Sequence, residues 1–251
     1  MENCFYYQEK GNGQPIILIH GLGLNNTIWN MIAELLSSRF RVILPDMRAH
    51  GKSFSSEMEF SMRDMGEDVV RMMDRMDIPS AIIAGHSMGG YIALSILKNF
   101  PERIIGIALI ASHIYADSES KKKQRIIMAE QLTTEEPGDV FYDMPGKLTR
   151  DRAIADLCKD MIKQTDAAGI KGVLRTMAHR PSSKELWKLN TIPSMIVIGK
   201  EDSFIPVETI RKMTVLNGNT VVHEIENAGH MVMMEKPDIT SNILSNWSEG
   251  I

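Results

Sequence analysis

Ser87, within Gly-His-Ser-Met-Gly-Gly at positions 85–90, is the residue whose surroundings most clearly indicate chemistry. A serine with glycine two residues away on each side is the pattern of a nucleophile elbow, a sharp turn between a strand and a helix that exposes the hydroxyl. The apolar run 81–84 predicts the strand, and the segment 91–97 predicts the helix. Because a helix N-terminus favours negative charge, this position suits a nucleophile.

His230 is the predicted base, because a serine hydroxyl at neutral pH is a poor nucleophile without one. It follows the strand predicted at 220–225. The carboxyl ends of parallel strands share one edge of a sheet, so this loop should open on the same side as Ser87. The alternative for His230 is a loop histidine bonded to the backbone.

Asp202 is the predicted carboxylate that orients the histidine. It follows the strand predicted at 195–198, and Pro206 ends its loop. Glu201 is the adjacent alternative, and Asp117 beyond the fourth strand is a more distant one. The order serine, aspartate, histidine is that of a triad built around a nucleophile elbow. It favours a nucleophile over an ordinary serine in a glycine-rich turn.

Two backbone N–H groups are needed to receive the oxyanion that forms when a serine attacks a carbonyl. Met88, directly after the predicted nucleophile, is one candidate. Leu22 is the other, because the loop His-Gly-Leu-Gly at 20–23 follows the first strong strand and its glycines allow close approach. His20 and His86 lie at a strand end and inside the elbow, and structural roles are predicted for both.

These residues are positioned by strands that alternate with helices, which indicates right-handed crossovers and a mostly parallel sheet. Strands are predicted at 16–19, 41–44, 81–84, 104–110, 195–198 and 220–225, and helices at 26–37, 62–76, 91–97, 207–216 and 238–247. Few residues precede the first strong strand, so one N-terminal strand at most is expected.

The alternation stops between 113 and 189, where only helical segments are predicted, at 124–132, 152–164 and 170–178. The sequence therefore predicts an α/β core made of residues 1–112 and 190–251, with a helical cap of residues 113–189 inserted into it.

The composition limits the classes of partner. The chain has 251 residues, a formal charge of −4 and 43% hydrophobic residues, as expected of a soluble globular protein. Weak acidity argues against nucleic acid, and no apolar run approaches the ~20 residues of a membrane span. The basic run 121–123 is predicted to be a solvated helix face. No phosphate-binding loop, dinucleotide motif or metal-binding helix occurs, so no cofactor and no metal are expected.

Cys4 and Cys158 lie far apart without metal-like spacing and are predicted to be reduced thiols. The N-terminal residues contain no basic segment followed by an apolar stretch, so no signal peptide is expected. A cytoplasmic location follows as an expectation. The sequence carries no signal of oligomeric state.

Together these segments resemble the α/β-hydrolase superfamily, and in particular its small capped bacterial esterases and enol-lactonases. The matching segments are the loop 20–23, the loop 46–53, the elbow 85–90, residues 199–202 with Pro206, and Gly229-His230. Residues 175–183 are similar to the cap exit of enol-lactonase-like hydrolases. The resemblance implies that 46–53 is a structural turn beside the site, in which Arg48 and His50 pack.

The predicted function is hydrolysis of a small carboxylic ester or lactone through an acyl-enzyme. A serine at the elbow argues against dehalogenases and epoxide hydrolases of the superfamily, which use an aspartate there. Carbon–carbon bond hydrolysis, thioester hydrolysis and perhydrolysis share the same triad and stay open, as do cofactor-free oxygenation or lyase chemistry and a ligand receptor. Arg125, Arg175 and Arg180 could favour an anionic substrate, but surface solvation is the role predicted for each.

Overall fold

The computed structural model describes residues 5–53, 59–132, 141 and 143–251, and Cys4 lies outside them. These residues form a sheet of seven strands. The strands are β1 (Tyr7–Lys10), β2 (Gln14–Ile19), β3 (Phe40–Pro45), β4 (Ala81–His86), β5 (Ile104–Ile110), β6 (Ser194–Gly199) and β7 (Thr220–Ile225). Their spatial order is β1-β3-β2-β4-β5-β6-β7, and only β1 is antiparallel to its neighbour. The predicted α/β fold with a mostly parallel sheet is confirmed.

The strands follow the apolar runs because both faces of the sheet are buried. Along β2, Ile17 and Ile19 join one hydrophobic cluster, whereas Ile16 and Leu18 join a second cluster on the opposite face. Each of the six predicted strands is present, and β1 is the one strand before β2 in the described residues.

The described ranges contain two short 3-10 helices, Asn26–Trp29 and Pro101–Arg103, and eleven α-helices. The α-helices are α1 (Asn30–Leu36), α2 (Met62–Arg75), α3 (Met88–Asn99), α4 (Glu119–Gln131), α5 (Met144–Leu148), α6 (Arg152–Lys163), α7 (Ala167–His179), α8 (Lys184–Leu189), α9 (Val207–Leu216), α10 (Val232–Glu235) and α11 (Pro237–Ser248). Helices α2, α3 and α9 cover one face of the sheet, and α1 and α11 cover the other. Within these ranges, no helix combines the length and hydrophobicity needed to cross a bilayer.

Helices α4 to α8 lie between β5 and β6 in the chain, as the predicted insertion requires. Side chains of α4, α6 and α7 form a third hydrophobic cluster, separate from the two on the sheet. Helices α6 and α7 also contribute to the clusters on the sheet, through Cys158 and Val173 respectively. Trp187 of α8 is buried in the cluster that includes α2 and α3. The division into a core and a cap stays a prediction.

Three glycines let α3 approach the sheet at the turn after β4. A Cβ atom on Gly85 would lie 2.2 Å from the carbonyl carbon of Gly89, and one on Gly89 would lie 2.4 Å from the carbonyl oxygen of Ile19. A Cβ atom on Gly90 would meet Ser112 Oγ at 2.2 Å. These distances are shorter than any side chain tolerates, so the turn requires glycine at all three positions.

We expect Gly85→Ala to lower the free energy of unfolding by about 3 kcal/mol, because the added methyl group meets backbone atoms that cannot move independently. Gly218→Ala is the matched control, since nothing lies within 4 Å of a Cβ atom there. Urea unfolding of both variants measures the difference. An equal effect of the two substitutions would contradict this description of the turn.

Candidate active site

Ser87 is held in a strained backbone conformation between β4 and α3. Its φ and ψ angles are 52° and −111°, and a non-glycine residue at positive φ costs about 1–3 kcal/mol. The Ser87 N–H donates to the carbonyl of Ile110 at 3.0 Å. The Ser87 carbonyl accepts from Ser112 Oγ at 2.7 Å and from the Gly90 N–H at 3.0 Å. These bonds fix the turn that the sequence pattern predicts.

His230 and Asp202 form a buried pair. His230 Nδ1 lies 2.8 Å from Asp202 Oδ2, and the side chains are 3% and 0% exposed. The other carboxylate oxygen, Oδ1, accepts hydrogen bonds from the backbone N–H groups of Phe204 at 2.8 Å and Ile205 at 3.0 Å. With the proton on Nδ1 directed at the carboxylate, Nε2 of a neutral His230 is an acceptor.

The two alternative carboxylates lie elsewhere. Glu201, one residue before Asp202, pairs with Arg150 at 2.6 Å on the surface. Asp117 pairs with Arg125 and Arg180. Of the three candidates named from the sequence, only Asp202 contacts His230.

Three of the five predicted site residues line one cavity of about 670 Å³, which we call the Ser87 cavity. Ser87, His230 and Leu22 line it, and helices α4 and α5 form much of the facing wall. Met88 begins α3 and is buried. Within the described ranges, no hydrogen bond is recorded for the backbone N–H of Leu22 or of Met88. Both groups are therefore available as donors.

Two buried histidines, His20 and His86, hold the loops of this site in place. His20 Nε2 accepts from the Met47 N–H at 2.9 Å, which leaves Nδ1 to donate to the carbonyl of Gly21 at 2.8 Å. Burial lowers the pKa of His20 to about 4, so the ring is neutral near pH 7. His20 thus braces the loop that carries Leu22.

His86 has a structural role, as predicted, through a partner that the sequence pattern did not reveal. Its Nε2 donates to the backbone carbonyl of His230 at 3.0 Å, so the elbow is bonded directly to the loop of the predicted base. Burial, followed by the nearby His230 ring, holds the pKa of His86 well below its usual value. The only available signal was the position of a histidine inside the elbow, which names no partner.

The loop 46–53 is a structural turn, as the resemblance implied, and all of it except Gly51 and Lys52 is buried. The Asp46 carboxylate accepts from the N–H groups of Asn26 and Lys52, each at 2.8 Å. Arg48 pairs with Asp68 at 2.6 Å, and His50 Nδ1 lies 2.9 Å from the carbonyl of Arg48. Asp46 thereby fixes the end of β3 beside the site.

Arg125 and Arg180 are not solvated surface residues, so that prediction is wrong for both. Arg125 Nε lies 2.6 Å from Asp117 Oδ2, and Arg180 Nη2 lies 3.0 Å from Asp117 Oδ1. The Arg180 guanidinium also stacks 3.8 Å from the centre of the Tyr91 ring. Among the three predicted arginines, only Arg175 is exposed. The ion pairs with the buried Asp117 keep the guanidinium groups of Arg125 and Arg180 inside the protein.

The three lysines of the basic run 121–123 lie on different sides of α4. Lys122 pairs with Glu119 at 2.7 Å, and Lys123 is exposed, as a solvated face requires. Lys121 instead is partly buried and lines the Ser87 cavity. The prediction of a solvated face is therefore wrong for Lys121.

Other reactive groups add no second centre in the described part of the chain. No group of three His, Cys, Asp or Glu side chains there could hold a metal ion. Cys158 on α6 is a free, buried thiol. Burial, with a contribution from the charge of Glu235, raises its pKa to about 12, so it stays protonated near pH 7.

Comparison with known proteins identifies the class. A family model of the α/β hydrolase fold matches residues 14–237. The chain belongs to the α/β hydrolase family, which confirms the resemblance found in its sequence.

Individual relatives include esterases and an enol-lactonase. The chain superimposes on a thermophilic esterase from Thermogutta terrifontis, solved with malate bound, with a TM-score of 0.94 and 27% identity, covering 98% of this chain and 93% of that one. It superimposes on the enol-lactonase from Burkholderia xenovorans with a TM-score of 0.87 and 19% identity, covering 98% and 96% of the two chains. At that identity the second likeness concerns the fold.

A curated relative from Pseudomonas putida is the dihydrolipoyllysine-residue acetyltransferase component of an acetoin cleaving system. It is 30% identical over 233 residues, which are 89% of this chain and 60% of that protein. The chain thus spans about 60% of the length of this relative.

Asp117→Asn is expected to destabilise the fold by about 3 kcal/mol at neutral pH, because it leaves two buried arginines without their shared counter-charge. Burial alone would raise the pKa of Asp117, but Arg180 and Arg125 outweigh it and hold the pKa below its usual value. The stabilisation is therefore present above the unfolded-state pKa of ~4 and is lost as pH falls through the lower folded-state pKa.

Urea unfolding between neutral and acid pH measures this effect, and the gap between wild type and Asp117→Asn should narrow with falling pH. Glu226→Gln, which removes an exposed partner of Lys200, is the control and should stay close to wild type. A gap of constant size over the whole pH range would contradict the assigned ion pairs.

Proposed function

We propose that the protein is a serine hydrolase that cleaves a small carboxylic ester or lactone through an acyl-enzyme. The observation that carries the proposal is the Ser87 cavity, which is lined both by a serine on a strained turn and by His230, the histidine bonded to the buried Asp202. The family match and the esterase neighbour support this reaction class.

In the first half of the reaction, Ser87 Oγ attacks the substrate carbonyl carbon while His230 Nε2 takes the hydroxyl proton. Asp202 holds the ring by its Nδ1 and stabilises the charge that forms on it. The Leu22 and Met88 N–H groups donate to the oxyanion, and each such donor typically contributes ~3–4 kcal/mol in the transition state. The bond to the leaving oxygen then breaks, and this oxygen receives the proton from His230.

In the second half, a water molecule attacks the acyl carbon and gives a proton to His230. The bond between the acyl carbon and Ser87 Oγ breaks, and the proton passes to that oxygen. The acid leaves and the enzyme returns to its starting state. Both halves need a neutral His230, because the ring accepts a proton in each.

The proposal assigns different roles to two parts of the chain. Residues 1–112 and 190–251 form the core that carries the triad, and residues 113–189 form a cap that selects the substrate. The third hydrophobic cluster, which α4, α6 and α7 share, supports this division. The position of α4 and α5 along the wall of the Ser87 cavity supports the selecting role.

Three single variants test the triad, with para-nitrophenyl acetate as substrate. Ser87→Ala should abolish hydrolysis. Asp202→Asn should lower kcat by about 10³–10⁴-fold, because the amide favours the wrong tautomer of His230. Glu201→Gln is the matched control and should keep full activity, since Glu201 contacts Arg150 on the surface.

Thermal unfolding of each variant ensures that a loss of activity reflects chemistry. Full activity of a folded Ser87→Ala variant would end the triad assignment. A loss in Glu201→Gln with none in Asp202→Asn would move the carboxylate role to Glu201. Absence of turnover over a broad ester panel, combined with tight binding of a ligand, would favour a receptor.

A further inference from the structure

Helix α4 turns a polar face into the Ser87 cavity. Lys121, Gln124, Arg125 and Met128 all line it, at the spacing i, i+3, i+4 and i+7 of one helical face. On the same helix Ile127 is 52% exposed. The hydrophobic residues of α4 do not share one side of the helix, since Met128 lines the cavity and Ala129 is buried beside it while Ile127 faces solvent. The polar side chains on the cavity face are therefore available to bind a polar group there.

The wall of the cavity carries excess positive charge. Lys121, Arg125 and Arg180 lie in or next to it, and Asp117 is the carboxylate that pairs with both arginines. Asp202 is the other carboxylate that acts on Lys121, and its hydrogen bond to a neutral His230 leaves its charge in place. Three cations and two carboxylates leave one positive charge on this side.

The remaining charges at the cavity offset each other. Lys147 and Asp143, contributed by α5 and the residue before it, also line the cavity. Both side chains are exposed, one cation and one anion. The excess of positive charge therefore arises from the face of α4.

Lys121 is a partly buried cation whose ammonium group can still bind an anion. Within the described ranges it has no recorded ion pair, unlike Lys122, which pairs with Glu119. Burial, followed by the charge of Arg125, lowers the pKa of Lys121 below its usual value. An anion bound beside Lys121 would offset both effects, because it would supply a counter-charge where water is scarce.

We propose that Lys121 and Arg125 form an anion site within the Ser87 cavity, and that the ester or lactone attacked by Ser87 carries a carboxylate. The inference rests on the proposed function for its reaction, and on the face of α4 for the charge of the substrate. Arg125 is fixed by Asp117 through Nε, which holds its guanidinium in place as part of the site. Lys121 supplies the unpaired charge and determines specificity.

A pair of esters that differ by one charge tests the site. The para-nitrophenyl ester of hexanoic acid and the mono-para-nitrophenyl ester of adipic acid have equal acyl chains, with a methyl group or a carboxylate at the end. A second pair, phenyl acetate and para-acetoxybenzoate, places the carboxylate in the leaving group. The ratio of kcat/KM for the anionic over the neutral ester measures the preference in each pair.

Lys121→Gln should lower this ratio about tenfold or more in one of the two pairs, as expected for loss of a charged hydrogen bond. Lys123→Gln removes the same charge from the exposed side of α4 and should leave all the rates unchanged. Equal ratios in wild type and Lys121→Gln for both pairs, with the neutral esters hydrolysed, would overturn the anion site and leave the proposed function intact.

Calorimetric binding of adipate decides the case in which neither ester pair is hydrolysed and the proposed function fails. The anion site then predicts binding to wild type and to Lys123→Gln, with affinity at least tenfold weaker in Lys121→Gln. Equal affinity in all three proteins, or no binding to wild type, would overturn it. Thermal unfolding of both lysine variants shows whether each retains the fold.

Discussion

The strained turn at Ser87 is the constraint on which the rest of the site depends. A serine at φ of 52° is held there because β4 and α3 meet at three glycines that leave no room for a Cβ atom. Hydrogen bonds fix this conformation by joining Ser87 to Ile110, at the end of the next strand, and to Ser112, just after that strand. The strain directs the hydroxyl to the sheet edge at which the other site loops converge.

Hydrogen bonds between loops hold the other site residues in fixed positions relative to this turn. His86 joins the elbow to the backbone of His230, His20 joins the loop of Leu22 to the loop after β3, and two N–H groups orient Asp202. The buried rings of His20 and His86 are neutral because burial disfavours their charged forms. Pre-arranged donors and acceptors of this kind need no reorganisation as charge develops during a reaction.

The sheet and the position of the candidate site were predictable because they depend on local pattern. Apolar runs mark the strands, glycine spacing marks the elbow, and parallel topology brings the loops after β4, β6 and β7 to one edge. Helices α5, α8 and α10 escaped prediction, because one or two turns show no periodicity. The burial of Arg125 and Arg180 depends on Asp117 and on the rotation of α4, which carries no apolar stripe that would fix its orientation.

The acyl-enzyme is the central claim, and rapid-quench mass spectrometry of the intact protein during turnover of para-nitrophenyl acetate tests it most directly. The proposed mechanism predicts a transient increase in mass equal to one acetyl group, which proteolysis would map to the peptide that contains Ser87. The increase should be absent from Ser87→Ala. Turnover with no adduct at any time, or with the acetyl group on a different residue, would contradict the mechanism.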